Sequence, residues 1–116
     1  MLLAATALAT LLIANPSTTD ADRIAANGGF LLGNAHRCGI DPARIERAGK
    51  TVRGLIAAAS DDAKAEDGAT LRFAQFFLVS AFADTGKDKL VASCRTVDSE
   101  FARLERHPIK NADAGE

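Results

Sequence analysis

The side chains with chemistry to offer in this 116-residue chain are few: two cysteines, two histidines and one run of basic residues. Cys38 and Cys94 can bond to each other, hold a metal or act as thiols. A thiol redox centre uses a close C-x-x-C pair, and none is present. A zinc site would have to add His36 and His107, but neither the H-R-C spacing nor the distance from Cys94 to His107 matches a zinc signature. Haem attachment needs C-x-x-C-H, and Met1 is the sole methionine that could serve as an axial ligand. The pairing left is a Cys38–Cys94 disulfide, with two buried reduced thiols as its alternative.

Other fragments imitate chemistry. A-G-K-T at 48–51 ends like a phosphate loop, but the glycine required five residues earlier is Arg44. D-T-G at 84–86 occurs once, whereas an aspartic protease needs two carboxylates sharing a proton. His36 beside Arg37 has the makings of an acid–base pair, yet such pairs are ordinarily solvated helix ends. No serine stands in a nucleophile arrangement with either histidine. The reading is of a chain without catalytic residues, cofactor or metal, and an enzyme ranks last among the functional classes.

Which compartment the cysteines meet in depends on the first residues. Leu2–Ala14 is a 13-residue apolar stretch without charge, closed by Asn15-Pro16. A spanning helix needs about 20 apolar residues, so no stable membrane span is expected. The length suits the apolar core of a secretory signal, although no Lys or Arg follows Met1. Small-residue sites for cleavage follow Ala14 and Ala21. Residues 1–21 are read as a signal segment, 22–107 as a helical domain and 108–116 as a flexible tail. The protein is then periplasmic or secreted, where a disulfide persists.

Four helices position these residues. Alanine is abundant, Tyr and Trp are absent, and no apolar alternation suggests strands. The first helix spans about Asp20 to Cys38, with Ile24, Gly28, Leu31, Ala35 and Cys38 on one face. Gly39 ends it and Ile40 makes the capping contact. Asp41 caps the second helix with its side chain, and Pro42 takes the first turn. That helix runs to Ala59 with Ile45, Ala48, Gly49, Val52, Leu55, Ile56 and Ala59 lining its face. The third opens at Ser60-Asp61 with acidic residues near its start and continues to Ala83. The fourth carries Leu90, Cys94, Val97, Phe101 and Leu104 and ends at His107 before Pro108. Short linkers predict an all-α, antiparallel, up-down-up-down four-helix bundle. On that topology Cys94 lies about 9–12 Å below Cys38, a gap that modest stagger closes.

Three features bear on function. Net charge is −1, with 14 Lys and Arg against 15 Asp and Glu, which disfavours a nucleic-acid partner. Arg44, Arg47, Lys50 and Arg53 read as a solvated face, with Glu46 placed to pair with Lys50. Gly29 and Gly33, in G-F-L-L-G, permit close helix approach. The third helix is apolar on two sides: Phe73, Phe76, Phe77 and Ala81 on one, and Leu71, Leu78 and Phe82 opposite, with Gln75 between them. A bundle helix needs one buried stripe. The second stripe therefore suggests a protein partner or self-association through Leu71, Gln75, Leu78 and Phe82. The alternative is a carrier of a small apolar ligand, held in a gap lined by Phe73, Phe77 and Phe101.

Overall fold

The computed structural model describes residues 19–83 and 91–106. Residues 1–18 of the expected 1–21 signal segment, Leu90, the D-T-G triplet at 84–86, His107 and the expected tail at 108–116 lie outside them. Among the described residues there are four helices and no strand: α1 (Asp20–Arg37), α2 (Pro42–Ala59), α3 (Ala63–Ala81) and α4 (Cys94–Glu105).

Local chemistry sets the helix ends. Thr19 and Asp22 form a capping box: the Asp22 amide donates to Thr19 Oγ1 at 3.1 Å, and the Thr19 amide donates to Asp22 Oδ2 at 3.4 Å. A cut after Ala21 would remove that cap and the buried Ala21 from α1, whereas a cut after Ala14 spares both. At the other end Gly39 has φ +82°, a left-handed conformation that glycine adopts without Cβ strain. This turn lets the Ile40 amide donate back to the Ala35 carbonyl at 3.0 Å. Ile40 packs on the core, as its position predicts.

The remaining N-termini differ in their caps. Asp62 accepts from the Ala65 amide at 2.8 Å, so α3 begins at Ala63. Asp41 makes no side-chain capping bond, contrary to expectation. Pro42 at the first turn has no N–H to satisfy and already has the helical φ, so α2 starts without that cap.

α1 is the hub, packed against each of the other three helices, and its most extensive contact is with α3. Its core face is shifted from the expected one. Gly28 and Ala35 are buried as expected, Ala21, Ala25 and Leu32 join them, and Ile24, Leu31 and Cys38 are only partly buried against the core. Gly29 and Gly33 are buried on a second side. A helix surrounded by three neighbours has no single stripe, so the larger side chains did not mark its core. α2 follows its expected stripe: Ile45, Ala48, Gly49, Val52 and Ile56 are buried.

The α1–α3 contact is backbone against backbone. A Cβ on Gly29 would lie 2.5 Å from the Phe73 carbonyl oxygen, and one on Gly33 would lie 2.5 Å from that of Phe77. Real Cβ atoms do not approach so closely, so the separation of the two helices depends on both glycines. Asp22 and Arg72 add an ion pair at 3.4 Å along the same contact.

Cys38 and Cys94 are disulfide-paired, with Cα atoms 5.7 Å apart. The expected offset between them does not occur. Ser93 accepts from the Thr96 amide at 3.2 Å and caps α4, so Cys94 occupies the first helical position instead of the second turn. Periodicity from Leu90 suggested an earlier start, but 91–93 are non-helical.

Candidate functional site

The helix that α1 grips from one side is bare on the other. Ala69, Phe73, Ser80 and Ala81 of α3 are buried, with Phe76 and Phe77 partly so. At 100° per residue, Leu71, Leu78 and Phe82 project from the opposite side. They are 60%, 55% and 73% exposed. Gln75 is also exposed and lies in the same row. Val79, 48% exposed, widens the apolar surface at its edge and escaped the sequence reading. From Phe73 to Phe82 the helix carries no charged side chain.

His36 borders this surface from the end of α1. Its ring is 5.9 Å from that of Phe82 and 6.2 Å from that of Phe77, both tilted. His36 thus sits against aromatic faces, and no described serine or carboxylate joins it in a hydrogen-bonded catalytic pair.

Alongside the stripe, residues of α1, α2 and α3 line a groove of about 360 Å³. Leu32, Ile45, Gly49 and Phe73 are its buried lining, Phe77 is partly buried, and Leu78, Glu46 and Arg53 are exposed. Phe73 and Phe77 therefore share one opening. Phe101, the third expected lining residue, is not among those around it. It is fully buried, with the Arg44 guanidinium carbon 5.2 Å from its ring centroid.

Arg44 also leaves the basic run, because it binds Glu105 through two hydrogen bonds of 2.9 and 2.7 Å. That bond, above all, holds the Glu105 carboxyl below its ordinary range and raises the Arg44 guanidinium. Arg47, Lys50 and Arg53 remain exposed.

Asn34 was not foreseen. Fully buried, it donates to the Phe30 carbonyl at 2.9 Å. Its Oδ1 accepts from the Ala92 amide at 3.1 Å and from Arg37 Nε and Nη2 at 3.1 and 2.8 Å. Arg37 Nη2 in turn donates to the Ala92 carbonyl. These bonds fix the segment ahead of α4 beside the disulfide. An asparagine inside a helix, where it is a poor former, was the available signal.

Among the described residues no group of three or more His, Cys, Asp or Glu is arranged to hold a metal ion, and no helix is long and apolar enough to cross a membrane. Comparison by sequence and by structure finds no matching protein family, curated protein or solved structure.

Proposed function

We propose that this protein is an exported, non-catalytic interaction module whose contact surface is the outer stripe of α3. The observation that carries the reading is the exposure of Leu71, Leu78 and Phe82 on a helix already fully engaged on its other side. Exposing large apolar side chains in a row is unfavourable in water, and such rows mark association surfaces. The Cys38–Cys94 pair supports a compartment outside the cytoplasm, and the uncharged first 14 residues support a signal segment. An up-down-up-down order belongs to the same proposal. Its support is the pairing of α1's end with α4's start and the short links at 38–41 and 60–62.

A photoreactive amino acid at position 78, in the chain expressed in its own cells, tests the surface. An adduct that disappears when Leu71 and Phe82 are both changed to serine is expected. Absence of any adduct removes the reading.

The groove lined by α1, α2 and α3 favours a second reading, carriage of a small apolar ligand against Phe73 and Phe77. On this reading Phe101, which does not line the groove, takes no part in holding the ligand.

A further inference from the structure

We propose that the groove lined by α1, α2 and α3 binds a small carboxylic acid with an apolar body, its carboxylate held by Arg53. This rests on the carriage reading, gives its ligand a chemical class and does not depend on the outer stripe of α3.

The lining sets the body of the ligand. Leu32, Ile45, Phe73 and Phe77 are apolar, and Gly49 adds no side chain. Gly49 differs from Gly29 and Gly33. A Cβ built on it would meet Leu32 Cδ2 at 3.8 Å and Arg53 Nη1 at 3.5 Å, both ordinary contacts. No close approach of helices requires glycine there, and the space its missing side chain leaves belongs to the groove. An apolar cavity of about 150 Å³ holds benzene, so a groove of about 360 Å³ takes roughly a dozen heavy atoms.

Arg53 sets the head of the ligand. Side chains on a helix lean toward its N-terminus, and Arg53, one turn after Gly49, lies back over the groove wall. Among the described residues it makes no hydrogen bond or ion pair. A second groove, of about 280 Å³ and lined by α1, α2 and α4, gives the contrast. Its arginine, Arg103, is already paired at 3.7 Å with Glu100, which lines the same groove. Arg53 keeps its fork of donors open, and a carboxylate takes such a fork through two parallel bonds.

The charge around the groove favours an anion. Arg47 and Lys50 are exposed on α2 beside Arg53, and Glu46 is the acid among the lining residues. Glu46 precedes Arg53 by seven positions, about 10.5 Å along the helix axis. It repels a carboxylate placed at its own end. The acid therefore lies one way round, with its head at Arg53 and its body along Phe73 and Phe77.

Titration of the oxidised protein with decanoate, decanol and decylammonium, each below its micelle-forming concentration and followed by amide chemical shifts, tests this. Decanoate should shift the amides of Gly49, Phe73 and Phe77 and bind about tenfold more tightly than decanol, the gain expected of one charge-assisted pair. Arg53→Gln should reduce decanoate to the affinity of decanol and leave decanol unchanged. Arg53 is exposed and bonded to no described residue, so that variant keeps the fold. Arg53→Lys should retain part of the preference, because it keeps the charge and loses the fork. Equal binding of decanoate and decanol, or tighter binding of decylammonium, overturns the acid and leaves carriage standing. A preference for decanoate that survives Arg53→Gln overturns the assignment of the head, and shifts confined to Leu55 and Arg103 overturn the groove. No binding of any of the three removes both this proposal and the carriage reading.

Discussion

α1 holds α3 and α4 by opposite means. Against α3 it presents glycines, so the two backbones approach until a methyl group would not fit. Against α4 the contact is small: of its 12 residues only Val97 and Phe101 are buried. Specific links supplement it, namely the disulfide, the Asn34 and Arg37 bonds to Ala92, and the Arg44–Glu105 pair between α2 and α4. The comparison teaches how a small core is shared. A long helix with a continuous inner face is held by packing, which acts in the folded state. A short one is helped by a covalent link, which acts chiefly by restricting the unfolded chain.

Removing the link should have the largest effect. The cysteines are 56 positions apart, and closing a loop of that size contributes about 4 kcal/mol on the chain-entropy account. The double variant Cys38→Ala/Cys94→Ala should lose approximately that much in urea denaturation. Hydrogen exchange of the oxidised and reduced protein locates the change: amides of Val97 and Phe101 should lose protection before those around Leu32. If α4 keeps its protection on reduction, apolar packing alone holds it, and the contrast with α3 fails.

The α3 side is broken by a single methyl. Glycine to alanine inside a helix ordinarily gains about 1 kcal/mol. Gly54 in α2 has open space beyond its Cα and should show that gain. At Gly33 the new Cβ meets the Phe77 oxygen at 2.5 Å and the Ala81 nitrogen at 2.9 Å. Backbone atoms cannot swing aside, so Gly33→Ala should instead lose about 2–3 kcal/mol through forced separation of the helices. Measuring both variants by denaturation gives the sign as well as the size. A gain at Gly33 equal to that at Gly54 would mean that α1 and α3 are not in backbone contact.

The two regions also differ in how far the sequence disclosed them. Gly29 and Gly33 announced a close approach because their spacing puts them on one side of a helix. The two apolar faces of α3 were equally visible. The position of α1's principal stripe was not, because alanine and glycine carry little hydropathy and Ile24 and Leu31 drew attention to a neighbouring face. The cysteine pairing was legible from the count of two and the expected export, but its geometry was not. A local cap at Ser93 overrode the Leu90 periodicity and put Cys94 at the top of α4. Phe101 could not be separated from Phe73 and Phe77 by spacing, since the side of α1 on which each helix docks is a long-range property. Asn34 carried no motif, and its partner at Ala92 is 58 residues away.

The smallest expected effect lies in the titratable part of α4's attachment. Hydrogen bonding to Arg44 lowers the Glu105 carboxyl below its ordinary value, which is about 4.3. A group lowered on folding stabilises the protein above its unfolded-state value and loses that contribution as pH falls through the folded one. Arg44, raised by the same bond, stays charged throughout the acid range. The stability difference between wild type and Glu105→Gln should be constant from neutral pH to about pH 5, shrink below about pH 4 and vanish at lower pH. Both partners are partly exposed, 41% and 32% at their side chains, so added salt should reduce the difference. The urea midpoint of each protein, followed from pH 7 to 2.5, reads this directly. Full persistence of the difference at the acid end would assign Glu105 a packing role. The pH-sensitive component of the α4 attachment would then have to lie elsewhere, because the disulfide does not titrate and the Asn34 bonds carry no acid group.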